Sequence, residues 1–347
     1  MFQRILVPLD GSSCAEQALP LAIRLARASG GALSLLQVVP PLADHHQQDQ
    51  HDRAQQTAFS NADAYLSHIL AREDLEGIGI VKEVRSGNPA QQILLVAKEQ
   101  EIDLIVICSH GRTGFRRMLA GSVAQKVAYH SPIAVLVLHA NHPLASEAHG
   151  AQGYATQVFV PLDGSPLAEA ALLPAAQLSA ALSAPGNGTL HLARVVVRTI
   201  PMKDIAGVMQ IMTREEVAEA GIYLHKVEQR LQESEFAPLQ ISTVSSAVAG
   251  ADVVNPLLWL AEEGNYSTGH GIIRGSDLIA IATHGRSGLA HLAMGSITER
   301  ILSSTILPVL IVHGEKNEYS TLHESAFAGI DKPHLYNDVS GNGVAHV

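Results

Sequence analysis

The sequence predicts an α/β protein built from two tandem five-stranded parallel-sheet α/β sandwich domains. Two observations predict this fold class. The hexapeptide VPLDGS occurs at residues 7–12 and again at residues 160–165. In both halves, short β-branched runs alternate with longer amphipathic stretches in the same order, which is typical of βαβ units that form a doubly wound parallel sheet.

A second repeated segment gives the extent of the duplication. Residues 103–139 align without gaps to residues 277–313, with 13 of 37 positions identical. The copies are offset by 153 residues at the hexapeptide and by 174 in this segment, so the second copy has gained 21 residues. We expect two glycine-rich stretches, 184–188 and 264–275, to hold them.

These landmarks divide the chain into four parts. We predict a first domain at 1–142, a linker at 143–155, a second domain at 156–313 and a C-terminal tail at 314–347. The tail has no sustained hydrophobic period, which favours an exposed, poorly ordered extension.

The elements of each copy follow from the residue pattern. In the first copy, the predicted strands are RILVPL, ALSLLQVV, GIVKEVRSG, DLIVICS and IAVLVLH, with helices at about 13–29, 50–72, 88–100 and from Ser122. In the second, they are VFVPLD, LHLARVVV, ISTVSSAV, DLIAIAT and LPVLIVH. Nearly continuous apolar runs indicate strands that helices cover on both faces. Pro256 is expected to kink its helix.

Composition excludes several function classes. The net charge of −10, without a dense run of Lys or Arg, argues against a nucleic-acid partner. The two cysteines, Cys14 and Cys108, are too few for a disulfide framework. The sequence shows no secretory leader and no apolar run long enough to cross a bilayer. We therefore expect a cytoplasmic protein without membrane insertion.

The glycine-punctuated segments SHGRTGFRRMLAGS (109–122) and THGRSGLAHLAMGS (283–296) each follow a predicted strand. In a doubly wound sheet, ligands bind at the carboxyl ends of the strands. Ser122 with Gln125, and Ser296 with Glu299, fit the capping box of a helix start. Free N–H groups and the helix dipole favour an anion there. We therefore predict a phosphate cradle in each copy.

Each half resembles the universal stress protein domain, whose ATP-binding members carry G-x-x-G-x9-G-Ser/Thr. The matching segments run from Cys108 to Ser122 and from Ala282 to Ser296. The resemblance implies a Rossmann-like, adenine nucleotide alpha hydrolase-like fold that binds ATP. Cys108 and Ala282 replace the first glycine of the motif, so a Cβ occupies space near the ribose and we expect a lower affinity.

The resemblance also assigns site residues, with the aspartate and the first valine near the nucleoside and the glycines and serine near the phosphates. In the first domain these are Pro8, Asp10, Val38, Cys108, His110, Gly111, Arg112, Gly121, Ser122 and Val123. In the second domain they are Pro161, Asp163, Val195, Ala282, His284, Gly285, Arg286, Gly295, Ser296 and Ile297.

These features predict a nucleotide-responsive stress or regulatory binding module. Two alternatives stay open, a partner-binding scaffold without nucleotide and a slow ATPase in which Mg²⁺ bridges the phosphates. No orienting acid accompanies Ser109 and His110, so no catalytic residue is assigned. His45, His46 and His51 lack the geometry of a metal site, and no metal ligand is assigned. The sequence does not name a protein partner.

The last strand of each copy, Ile133–His139 and Leu307–His313, is almost wholly apolar although it should lie at the edge of its sheet. An exposed apolar edge promotes aggregation. Related domains pair through this strand, so we predict that the two halves pair with each other inside one chain. A further homodimer through other surfaces stays open.

Overall fold

The computed structural model describes residues 2–41, 48–109, 122–140, 155–197, 206–233, 236–267, 271–284 and 294–314. Most of the two glycine-punctuated segments, most of the predicted linker, and His45 and His46 lie outside these residues. The tail beyond Gly314 also lies outside them, so its predicted disorder stays a prediction.

The first repeat alternates strands and helices. Its elements are β1 Arg4–Leu9, α1 Ser13–Glu16, α2 Leu19–Ser29, β2 Ala32–Val39, α3 Gln48–Arg72, β3 Gly79–Ser86, α4 Pro89–Glu99, β4 Leu104–Ser109, α5 Ser122–His130 and β5 Ala134–His139.

The second repeat follows the same order with one added hairpin. Its elements are β6 Gln157–Pro161, α6 Pro166–Glu169, α7 Leu172–Ser183, β7 Thr189–Val197, α8 Ala206–Glu233, a 3₁₀ turn Ala237–Leu239, β8 Ser242–Gly250, α9 Val254–Glu262, β9 Asn265–Ser267, β10 Gly271–Ile273, β11 Leu278–His284, α10 Ser296–Ser304 and β12 Val309–Gly314.

Ten strands form one sheet in the order β3-β2-β1-β4-β5-β12-β11-β6-β7-β8. Neighbouring strands of the same repeat are parallel, whereas β5 and β12 are antiparallel. The predicted fold class is confirmed. In each repeat the chain winds outward in both directions from its first strand. The strand order therefore reverses between β1 and β4, and between β6 and β11, which is where a ligand crevice opens in such sheets.

Hydrophobic residues cover both faces of the sheet. Along β1, Ile5 and Val7 belong to one buried cluster and Leu6 belongs to the other, because successive strand side chains point to opposite faces. The first cluster is shared with α2, α3, α7 and α8, and the second with α4, α5, α9 and α10. Both clusters draw residues from the two repeats.

Two helices that contain proline differ from the sequence prediction. The single helix predicted at 13–29 is two helices, α1 and α2, because Pro20 lacks an N–H and its ring would clash with the carbonyl of Glu16 in a continuous helix. The kink predicted at Pro256 is wrong. Helix α9 begins at Val254, so Pro256 lies in the first turn, where no intrahelical N–H bond is required.

The 21 additional residues lie in three places rather than two. The strand registers match Leu36 of β2 to Ala193 of β7, and Arg85 of β3 to Val248 of β8. Corresponding residues of the two repeats are therefore 157 positions apart at the second strand and 163 positions apart at the third. The glycine-rich stretch at 184–188 therefore holds only part of the insertion, and the connection through α8 holds another part. The remainder forms the antiparallel hairpin of β9 and β10.

None of the helices in the described part of the chain is both long and apolar enough to cross a membrane.

Candidate functional site

The first VPLDGS segment forms a tight loop after β1. The Asp10 carboxylate accepts a hydrogen bond from the Ser12 N–H at 2.9 Å. The Ser12 hydroxyl oxygen accepts one from the Ala15 N–H at 3.1 Å and caps α1. Gly11 has a φ of +84°, a conformation that other L residues rarely adopt. The loop holds the exposed Asp10 side chain at the carboxyl edge of the sheet.

The second VPLDGS segment repeats this geometry. Asp163 accepts from the Ser165 N–H at 2.8 Å, and Ser165 accepts from the Ala168 N–H at 3.1 Å. Gly164 has a φ of +92°. The duplication therefore preserves the hydrogen bonds of the loop as well as its sequence.

A cavity of about 480 Å³, which we call the first crevice, opens where the strand order reverses between β1 and β4. Five residues of the predicted set line it, namely Pro8, Asp10, Val38, Cys108 and Val123. The structure thus brings together residues from β1, β2, β4 and α5. The predicted His110, Gly111, Arg112 and Gly121 lie outside the described residues, as does the side chain of Ser122, although α5 begins at that residue.

The second crevice, with a volume of about 300 Å³, lies between β6 and β11. Its walls contain seven residues of the predicted set, namely Pro161, Asp163, Val195, Ala282, Gly295, Ser296 and Ile297. His284 is the last residue of β11, and its side chain lies outside the described part of the structure, as do Gly285 and Arg286.

The start of α10 forms part of the second crevice. The capping box predicted for Ser296 and Glu299 is wrong, because Ser296 is the first helical residue and Gly295 is the N-cap, without a side-chain cap. The Gly295 N–H donates to the Thr283 hydroxyl at 3.4 Å. Among the described residues, no atom lies within 4 Å of a Cβ placed at Gly295, so none of these residues blocks a ligand from the backbone at this helix start.

Two side-chain clusters, which we call the first and second clamps, hold the short helices after the VPLDGS loops, and neither was predicted from the sequence. In the first clamp, Glu16 accepts a hydrogen bond from Tyr65 at 3.1 Å and pairs with Arg72 at 2.9 Å. Burial, followed by the hydrogen bond to Glu16, raises the pKa of Tyr65. Since Tyr65 and Arg72 lie on α3, the first clamp joins α1 to that helix.

The second clamp has the same composition. Glu169 accepts from the Tyr223 hydroxyl at 2.7 Å and pairs with Arg230 at 2.7 Å. Burial also raises the pKa of Tyr223. The sequence carries a signal for the clamps, because a tyrosine and an arginine stand seven residues apart in both long helices.

One strand position near the crevices differs in charge between the two repeats. The strand registers match Gln37 of β2 to Arg194 of β7. Gln37 lines the first crevice, and among the described residues its buried Oε1 has no hydrogen-bond partner. The Arg194 guanidinium lies 5.0 Å from the centre of the Tyr223 ring, next to Gly164. A neutral amide in the first repeat is therefore replaced by a cation in the second.

Metal ligands are not grouped in the described part of the chain, which contains no cluster of three or more His, Cys, Asp or Glu side chains suited to a metal ion. His45 and His46, and the side chain of His51, lie outside it.

Two parallel α/β units with a crevice at each reversal of strand order define a Rossmann-like protein with one candidate ligand site in each repeat. The sequence pattern of the Universal stress protein family matches residues 1–139 and 273–313. The chain belongs to this family, and the resemblance found in the sequence is confirmed.

Relatives match one repeat or nearly the whole chain. Universal stress protein YxiE of Bacillus subtilis is 30% identical over 151 residues, which are 40% of this chain and 99% of the relative. A universal stress protein of Mycolicibacterium smegmatis is 22% identical over 317 residues, 89% of this chain and 96% of the relative. The crystal structure of a universal stress protein from Archaeoglobus fulgidus has a TM-score of 0.60 at 19% identity and covers 89% of this chain and 98% of its own.

Some solved members of the family carry nucleotides. One universal stress protein is in complex with cAMP, and a family protein from Arabidopsis thaliana has AMP bound. Each covers 40% of this chain with a TM-score of 0.30.

Proposed function

We propose that this chain comprises two universal stress protein domains, at 1–142 and 156–313, and that each binds ATP. In this proposal, nucleotide occupancy changes the shape or partner choice of a stress or regulatory module, and the chain is not a dedicated enzyme. One observation carries the proposal: the same loop, strand ends and helix start line a crevice at the reversal of strand order in both repeats.

The crevice walls suit the parts of a nucleotide. Volumes of about 480 and 300 Å³ fall in the range of small-molecule sites, roughly 300–1,000 Å³. Val38 and Val195 supply apolar surface for a base, and Asp10 and Asp163 supply exposed carboxylates that accept hydrogen bonds from ribose hydroxyls. The buried Oε1 of Gln37 would accept a hydrogen bond from an amino group of the base.

The helix start at Gly295 suits phosphate. Backbone N–H groups of the first turn and the helix dipole favour an anion, and none of the described residues blocks the approach of phosphate oxygens to the backbone at Gly295. Arg286, which follows β11 in the sequence, is proposed to add a positive charge, with Arg112 in the same role in the first domain. Mg²⁺ would bind to the phosphates of the nucleotide.

The two domains are proposed to pair as one pseudo-twofold unit. The antiparallel register of β5 and β12 supports this arrangement, with Leu136 opposite Leu310. Helix α2 also packs against α7, and the Arg24 guanidinium donates a hydrogen bond to the Leu182 carbonyl. Both nucleotide sites would then belong to one body. We place this unit in the cytoplasm, where free thiols such as those of Cys14 and Cys108 are maintained.

Calorimetric titration of the full chain with ATP, with and without Mg²⁺, tests the proposal. The expected result is two equivalents of ATP, reduced to one by Gly295→Val. A valine is compatible with the φ of −53° at Gly295 and places its methyl groups in the phosphate position. Gly221→Val is the matched control, because no described atom lies within 4 Å of a Cβ at Gly221 either, but this residue of α8 does not line either crevice.

Two outcomes would contradict the proposal or its details. Unchanged ATP binding by a folded Gly295→Val variant would show that the phosphate position is wrong. Absence of ATP binding by the wild-type chain would favour the scaffold alternative. A phosphate-release assay with Mg²⁺ and ATP measures the remaining alternative, since steady turnover would identify an ATPase.

A further inference from the structure

The two cysteines of the chain lie in contact. Cys14 on α1 and Cys108 on β4 are 94 positions apart in the sequence, yet their Sγ atoms are 3.5 Å apart. They are the only two cysteines among 347 residues, and both are free thiols. Both also line the first crevice. The fold therefore places the entire thiol content of the protein at one point in one candidate site.

Packing alone does not require sulfur at these positions. In the second repeat, the residues that correspond to Cys14 and Cys108 are Leu167 and Ala282, and both line the second crevice. The corresponding loop, helix and strand of the second repeat therefore fold with an aliphatic pair in place of the two cysteines. The thiol pair is a property of the first repeat alone.

We propose that Cys14 and Cys108 are a reversible disulfide site, so that oxidants modify the first crevice and leave the second unmodified. Closure needs the sulfur atoms to move from contact to a bond of about 2.05 Å. Because α1 directly follows the loop that holds Asp10, the bond would tie that loop covalently to the end of β4.

A hydroperoxide is the class of oxidant that completes the reaction. One thiolate attacks the peroxide oxygen, which breaks the O–O bond, releases water or an alcohol and leaves a sulfenic acid. The second thiol then attacks that sulfur and releases water, forming the S–S bond. Two thiols lose two electrons and two protons in total, and the peroxide takes them up. A dithiol reductant reverses the bond by exchange.

The surroundings of the pair set the rate of this reaction. Burial raises the pKa of both thiols, and the charge of Asp10 contributes in the same direction. Since the thiolate is the reactive species, the pair is slow to react at neutral pH and responds to sustained rather than brief oxidation.

The test uses the reduced full chain without nucleotide, equilibrated in glutathione buffers of increasing oxidised fraction. Remaining thiols are then trapped with N-ethylmaleimide in denaturant, so that burial does not protect them, and the intact mass is measured. We expect both thiols to disappear together, with a loss of two hydrogen atoms and no glutathione adduct, and dithiothreitol to restore them. Single glutathione adducts, disulfide-linked dimers, or two alkylated thiols in the most oxidising buffer would overturn the proposal.

The second repeat provides the control variants, Cys14→Leu and Cys108→Ala. Each retains one thiol in a background that the fold already accepts, so each should form only a glutathione adduct. An internal loss of two hydrogens in either variant would show that the mass change does not come from this pair.

A further consequence rests on the proposed function. If the first crevice holds ATP, we expect oxidation to change ATP affinity at one of the two sites by at least tenfold, while the Cys108→Ala variant is insensitive to the oxidant. Disulfide formation with no ATP binding in the reduced chain would contradict the proposed function alone. Disulfide formation with two unchanged ATP sites would contradict only the coupling between them.

Discussion

The Tyr223 hydroxyl donates a 2.7 Å hydrogen bond to Glu169, and Tyr65 makes the corresponding bond to Glu16 at 3.1 Å. Each bond ties the short helix after the VPLDGS loop to the long helix of its repeat. The loop that holds the site aspartate therefore depends on a contact between residues 54 positions apart in the second repeat and 49 in the first.

Removing the tyrosine hydroxyl should destabilise the fold. For Tyr223→Phe we expect a loss of about 1–2 kcal/mol in the free energy of unfolding, because Glu169 is only 11% exposed and loses a partner. Urea denaturation measures the change. Tyr65→Phe should have a smaller effect, since Glu16 is more exposed at 22%. Equal stability of Tyr223→Phe and the wild type would show that the Tyr223 hydroxyl does not contribute to stability.

A charge in the antiparallel pair β5–β12 should disrupt it. Leu136 is fully buried opposite Leu310, so Leu136→Asp places an unpaired carboxylate in the apolar interior. We expect a loss of at least about 3 kcal/mol or separation of the two repeats. Thermal melting and hydrodynamic size report these changes. Ile272→Asp is the control, because Ile272 is 87% exposed and should tolerate the charge. An unaltered Leu136→Asp variant would place the contact between the repeats elsewhere.

Stability should fall in mild acid through His313. Burial lowers the pKa of His313 below its ordinary value of 6.5, and backbone hydrogen bonds to Ile133 and Ala128 only partly oppose this shift. The unfolded chain therefore binds a proton at a higher pH than the folded chain does. The stability associated with neutral His313 is present above pH 6.5 and is lost as the pH falls toward the lower folded pKa.

Melting temperatures at pH 8 and pH 5.5 measure this effect. His313→Gln should reduce the difference between the two temperatures. The exposed His225, changed in the same way, serves as the comparison. An identical acid dependence of wild type and His313→Gln would exclude His313 as the cause.

Two substitutions in the first VPLDGS loop should distinguish an effect on ligand binding from an effect on folding stability. Asp10→Asn keeps an oxygen that can accept the Ser12 N–H but removes the charge, so we expect a normal melting temperature and an ATP affinity about tenfold lower at one site. Ser12→Ala instead removes the cap of α1 and should lower stability by about 1 kcal/mol. Calorimetric titration and thermal melting distinguish the two effects. A normal ATP affinity in Asp10→Asn would remove this carboxylate from the proposed site.

Alkylation of the thiols should accelerate steeply with pH. Because burial raises the pKa of Cys14 and Cys108 above the ordinary value of a thiol, the thiolate fraction should keep rising between pH 7 and pH 9. The rate of N-ethylmaleimide reaction, followed by intact mass, reports this fraction. A rate that levels off below pH 8 would show that these thiols are not shielded as the structure indicates.

The sequence by itself predicted the duplication, the fold class and the residues at the carboxyl edges of the strands. These features depend on local patterns, since hydrophobic period, turn residues and repeated motifs are all encoded within short segments. VPLDGS is an example, because the aspartate, the glycine with positive φ and the capping serine act within the same few residues.

Other features were decided only by the tertiary structure, because they join residues far apart in the chain. The contact of Cys14 with Cys108 depends on how α1 packs against β4, and no local pattern encodes it. A residue that is repeated in both copies also does not necessarily belong to the candidate site. The aligned residues Asp103 and Asp277 lie at the opposite edge from the crevices, where their carboxylates accept hydrogen bonds from the backbone at the start of β1 and β6. Position in the folded sheet, rather than repetition in the chain, separates site residues from structural ones.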